Sequence, residues 1–206
     1  MKQEEITARV QEIKRSFRQI MDGAIAASMR QKGVDYKLNW GASLVMLRSQ
    51  AHEIGADYDL AIALWKENVR ECKLLATMLM PPEKMLQEVA DIWMDQTTTI
   101  EMAEQAAFNL YWHLPYAADM AFRWIATDEP LRQLCGFHIL SRLFINGQEP
   151  NERGINEFID QALAALQGSS LSVRKAAMQS LQHFSALGLV YERIVGSALK
   201  NSGYEL

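Results

Sequence analysis

The chain has 206 residues, 49% of them hydrophobic and 22% charged, a balance that suits a folded protein with a real core and excludes a disordered or low-complexity one. Its formal net charge of −4 provides no global basic field, so any nucleic-acid contact must come from local patterning. No apolar run reaches the roughly 18 residues of a membrane span.

The N-terminal stretch MKQEEITARVQEIKRSF is charged from its start, where a signal peptide would be apolar. From within it onward, Ile6, Val10, Ile13, Phe17, Ile20 and Ala24 step by 4, 3, 4, 3 and 4, which predicts one helical face running from 6 to 24. Lys2, Arg9, Lys14, Arg15 and Arg18 interleave with Glu4, Glu5 and Glu12, the pattern of a solvated face rather than of a DNA-binding arm. QKGVDYKLNWGAS (31–43) reads as an irregular loop carrying Tyr36 and Trp40. Helices are then predicted over 44–54, 58–67, 69–80, 83–95, 99–114, 116–126, 130–145, 154–166, 171–186 and 189–200, with no strand-like alternation of useful length. Trp65, Trp93 and Trp124 sit in apolar surroundings and read as core. Met78, Met80 and Met85 flank the Pro81–Pro82 break and fill an irregular junction, and NGQEPNERG (146–154) is a second, polar connection.

A pattern recurs along this series. VRECKLLATML begins at Val69, IEMAEQAAFNL at Ile100, LRQLCGFHIL at Leu131 and VRKAAMQSL at Val173. Their second residues fall at 70, 101, 132 and 174, spaced by 31, 31 and 42, and the 146–154 connection accounts for the longer interval. Such a period with two helices per repeat predicts an all-α, α-solenoid architecture, one array of about five to six helical pairs over 1–206. Ala103, Gly136 and Ala177 are the small residues that let each second helix lie close to its neighbours. Arg70, Arg132 and Arg174, with Glu101 as the exception, form either a basic stripe for phosphates or an inter-repeat ladder paired with acids such as Asp128.

The SSLSVRKAAMQSL segment resembles a HEAT repeat. ALWKENVRECKLLATMLMPPEKM, IWMDQTTTIEMAEQAAFNLYWHLP and RWIATDEPLRQLCGFHILSRLF together resemble the DNA alkylation repair (AlkD-like) family, the HEAT-like repeat alkylpurine DNA glycosylases, over roughly 20–190. The resemblance implies a right-handed superhelix of HEAT-like hairpins whose concave face holds duplex DNA. It also implies hydrolysis of the N-glycosidic bond of cationic N3- or N7-alkylpurines, without metal or organic cofactor. Carried over by position, the family's catalytic Asp falls on Glu104, and its Trp residues fall on Ile100 and Gln179. The family Arg falls on Leu134, a side chain that offers no charge-assisted hydrogen bond to phosphate.

Lys73, Arg132, Arg142, Arg174 and Lys175 are the candidate DNA-binding cations. Tyr111, Trp112 and His113, within NLYWHLPY (109–116), are candidate groove aromatics for a cationic nucleotide. Glu101 and Glu104 share a face at i, i+3, where one of them could serve as an acid, although solvated carboxylates are the simpler reading. His52, His113, His138 and His183 are scattered, HEIGAD lacks the second His of a zincin, and no glycine-rich phosphate loop or nucleophile elbow occurs. Cys72 and Cys135 form no disulfide framework and read as buried thiols of a cytoplasmic protein. Two functions follow: a duplex-DNA-binding protein acting on alkylated purines through Glu104, or a catalytically inactive HEAT-like scaffold binding a protein or another ligand.

Overall fold

The computed structural model describes residues 3–34 and 36–204; Lys2 of the basic N-terminal set lies outside them. The described residues form twelve α-helices and three short 3-10 turns, in two compact units, 1–110 and 111–206.

In the first unit, α1 (Gln3–Ser16) buries Ile6, Val10 and Ile13. Each such aliphatic side chain contributes roughly 1.5–3 kcal/mol of burial. The face predicted to run on to Ala24 breaks earlier. A 3-10 turn, Phe17–Gln19, follows α1, and the Asp22 carboxylate accepts from the Ile25 amide at 2.9 Å, opening α2 (Gly23–Gln31). Side-chain capping by Asp competes with continued helix, so Phe17 is buried while Ala24 is exposed. The 31–43 loop then returns over α2. Gly41 has φ +71° and a Cβ there would run into the Asp22 carbonyl, so only glycine fits. Ser43 caps α3 (Leu44–Ile54), and Asp57 caps α4 (Tyr58–Trp65) while pairing with Arg9 of α1 at 2.7 Å. Leu38 and Val69 form a parallel bridge that fastens the loop to the start of α5 (Arg70–Leu79).

The Pro81–Pro82 break shortens the next element. Pro82–Lys84 forms only a 3-10 turn, and α6 begins at Gln87 and ends at Asp95. Met80 and Met85 are buried at this junction. α7 spans Ile100–Asn109, short of the predicted 99–114. Pro115 disfavours helix at Leu114, and the chain takes a separate 3-10 turn at Tyr111–His113.

In the second unit, α8 (Ala117–Ile125) and α9 (Pro130–Ile145) form a hairpin. Gly136 sets its closeness, since an added Cβ would lie 2.7 Å from Ile125 Cγ2 and 2.9 Å from the Ala121 carbonyl. α10 (Glu152–Gln167) and α11 (Leu171–Ser185) form the next pair, α11 packs on α9, and α12 (Leu189–Asn201) closes the end. Phe144, Phe158 and Phe184 meet edge-on or tilted with centroids 5.0–5.1 Å apart. The four recurring sequence segments are thus α5, α7, α9 and α11; α5, α9 and α11 each pack on the helix before them, and α7 packs on α5. Cys72 and Cys135 are both fully buried; burial pushes the Cys72 thiol up to about 12 and Cys135 higher still.

Candidate functional site

The residues aligned by the repeat occupy successive helical positions: Arg70 is the first of α5, Glu101 the second of α7, Arg132 the third of α9 and Arg174 the fourth of α11. They do not make a row of free cations. Arg70 is 1% exposed and grips Glu101 with two bonds, Nε at 2.8 Å and Nη2 at 2.6 Å. Its Nη1 donates to Glu71 at 3.0 Å and to the Ala42 carbonyl at 2.9 Å. Glu71, also fully buried, accepts the Trp40 and Ala42 amides at 3.1 and 3.2 Å. Burial disfavours the Arg70 charge, but the hydrogen bonds and charges of Glu101 and Glu71 outweigh it and hold its pKa above the usual value. Of the neighbouring acids, Glu101 is therefore a structural rung, and Glu104 is half-buried one turn on. Ile100, at the family's Trp position, is 48% exposed.

Lys73 is half-buried in the same unit. Its ammonium donates to the Trp65 carbonyl at 3.1 Å and lies 4.2 Å from the Trp65 ring centroid. That ring stacks on Trp93 at 4.2 Å and 3°, and both rings are buried. Burial pushes the Lys73 pKa down.

In the second unit the candidates separate. Tyr111 is fully buried, edge-on to Trp124 at 5.3 Å, so it belongs to the core and not to a groove. Trp112 is half-buried and His113 exposed, with their rings 3.8 Å apart. Arg132 bonds Glu129 at 3.0 Å, not Asp128, and its guanidinium lies 5.9 Å from the Trp124 ring. Arg174 donates to the Gly168 and Ser169 carbonyls at 2.8 and 3.4 Å, closing the α10–α11 turn. Lys175 is exposed. Arg142 stands ten residues after Arg132, about 15 Å along α9, so those two cations do not act on one point. Leu134, onto which the resemblance carries the family's Arg, is 1% exposed and belongs to the core. Gln179 is exposed.

What does gather in this unit is a small basic cluster. Partial desolvation first, and then the positive charge of Arg142, lowers the pKa of both His113 and His183, which places Arg142 within electrostatic reach of both. The three belong to the Tyr111–His113 turn and the last turns of α9 and α11. The sequence reading used His183 only to argue against a metal site. No spacing marked it, since the residue 42 after Arg142, the interval between Arg132 and Arg174, is Phe184. Among the described residues no three His, Cys, Asp or Glu groups come together as a metal-holding cluster, and no helix is long and apolar enough to cross a membrane.

The family described as "DNA alkylation repair enzyme" matches residues 13–186. A solved structure described as "a new family of proteins related to the HEAT-like repeat DNA glycosylases with affinity for branched DNA structures" is similar at a TM-score of 0.82 and 15% identity, over 93% of this chain and 82% of that one. At that identity the likeness shows the fold, an all-α array of HEAT-like repeats. No curated protein matches the chain.

Proposed function

The chain belongs to the DNA alkylation repair enzyme family, and from that premise we propose that it binds duplex DNA and hydrolyses the N-glycosidic bond of cationic N3- or N7-alkylpurines. The observation that carries this reading is the extent of the family match, 13–186, with a half-buried carboxylate, Glu104, at the family's catalytic position.

The chemistry asks little of the protein. The C1′–N bond breaks with its electron pair returning to the cationic base, which leaves neutral. The sugar passes through an oxocarbenium-like state, whose positive charge a carboxylate stabilises more than it does the ground state. Glu104 is that carboxylate. It also holds the water that adds to C1′ and takes the proton the water gives up. The longer Glu side chain, in place of the family's Asp, extends its reach by one methylene. Duplex contacts would come from Arg142 and Lys175, with Trp112 and His113 as the ring pair beside Arg142. Arg132 and Arg174 contribute less, since each already serves a local bond. The compartment proposed for this work is the cytoplasm.

A second reading is DNA or partner binding without hydrolysis. Buried Leu134 favours it, because no side chain at that position can hold a phosphate. The structural relative is described by its affinity for branched DNA, which makes a branched substrate the natural comparison. The test is duplex binding across salt. Binding whose logarithm falls linearly with log salt, with the slope reduced by about one in Arg142→Met, supports a DNA-binding surface. No salt-dependent binding of linear or branched duplex sinks the DNA reading and leaves the scaffold.

A further inference from the structure

In the first unit, Tyr36, the end of α4, the start of α5 and the α6–α7 link line an open pocket of about 440 Å³. We infer that this pocket is a phosphate-binding site centred on Lys73. Among the described residues, the half-buried cations Arg9 and Lys14 meet Asp57 and Glu67, and the buried Arg70 meets Glu101 and Glu71. Lys73 differs. It touches a carbonyl and a ring face, and burial alone accounts for its lowered pKa, with no carboxylate holding it up. An ammonium withdrawn from water without a counter-charge is costly, and an arriving oxyanion removes that cost.

The walls suit the same guest. Lys66 adds a second cation, and no carboxylate lines the pocket among the described residues. Gln96 uses its carbonyl oxygen to accept from Trp65 Nε1 at 2.8 Å, which leaves its amide hydrogens for another acceptor. Asn68 and Thr98 present an exposed amide and hydroxyl. Burial pushes the Tyr36 hydroxyl up to about 12, so it stays protonated beside Thr99. Several donors and two positive charges match a tetrahedral oxyanion. The rings of Trp65 and Trp93 are buried against each other and leave no face for a base, so recognition is of the phosphate itself. That phosphate belongs either to a nucleic-acid backbone or to a free phosphorylated metabolite. The inference rests on side chains of the first unit and requires no glycosidic hydrolysis.

The experiment titrates the purified full chain with sodium phosphate at constant ionic strength, following tryptophan fluorescence, alongside Lys73→Met and Lys66→Met. Saturable quenching or enhancement is expected in the wild type. It should weaken about tenfold or more in Lys73→Met and severalfold in Lys66→Met, the scale of losing a charge-assisted bond. A thermal melt verifies that Lys73→Met folds. If it does not, the exposed Lys66→Met carries the test, and wild-type affinity there overturns the inference. Duplex binding across salt separates the sources. A slope reduced by about one in Lys73→Met identifies a backbone phosphate, and an unchanged slope with phosphate binding lost identifies a free phosphate compound. Equal phosphate affinity in all three proteins, or no saturable response in the wild type, overturns the inference.

Discussion

Replacing Arg70 by Met removes a cation that has one partner, Glu71, which water cannot reach. Four bonds disappear at once, two to Glu101, one to Glu71 and one to the Ala42 carbonyl. The outcome depends on what is left behind. The Glu101 side chain is 23% exposed and water can replace its partner, whereas that of Glu71 is 0% exposed and keeps a buried charge facing only the Trp40 and Ala42 amides. Breaking a buried pair on one side costs about 3–5 kcal/mol, a large part of the 5–15 kcal/mol that holds a typical domain together. With a urea m-value of about 2 kcal/mol/M, the unfolding midpoint falls by about 1.5–2.5 M. Glu101→Gln, which leaves Arg70 paired with Glu71, costs only about 1–2 kcal/mol. The assay is urea unfolding followed by tryptophan fluorescence, with Trp40, Trp65 and Trp93 reporting on this unit. A midpoint shift below about 0.5 M in Arg70→Met at unchanged m, or equal losses in the two variants, refutes the claim that the network clamps the 36–42 loop to α5.

Two further outcomes follow from the second unit. Gly136→Ala forces α8 and α9 apart, because Ile125 and the Ala121 carbonyl already occupy the space; thermal melting should report a loss of about 1–3 kcal/mol, and an unchanged melt would mean that the hairpin yields freely. His113 and His183, lowered by partial desolvation and then by Arg142, should titrate below the usual 6.5 in imidazole proton NMR, and Arg142→Met should move both upward. Their folded pKa values lie below the unfolded ones, so their contribution to stability is present above pH 6.5 and is lost as pH falls through the folded values. Wild-type titrations at or above 6.5 would contradict that arrangement.

The fold was legible wherever helical periodicity acted without competition. The predicted 44–54 and 130–145 are the observed bounds of α3 and α9. It failed where a local rule overrode the period: Asp22 capping a new helix within the apolar series, Pro81–Pro82 delaying α6, and Pro115 cutting α7 short. The 31-residue period also held a message at Glu101. The acid that broke the arginine series is the partner of Arg70, one repeat earlier, and opposite charges one period apart are what a rung requires. The site was less legible, because one residue turns a helical side chain by about 100°. Tyr111 and Trp112 are adjacent, yet one is core and the other is half-buried beside His113. Leu134, read as a lost phosphate contact, proved to be a core residue. Lys73, read as a candidate DNA-binding cation, sits in a pocket that needs Tyr36, Gln96 and Thr98 brought to it by tertiary packing.

The most direct test of the functional account is release of 7-methylguanine from methylated duplex DNA by the full chain and by Glu104→Gln. The account predicts release by the wild type and a loss of about a hundredfold or more when the carboxylate becomes an amide, the scale of removing one electrostatic stabiliser of a transition state. Release that is unaffected by the substitution contradicts the role of Glu104, and no release from either protein, with duplex binding intact, contradicts hydrolysis and leaves a DNA-binding member of the family.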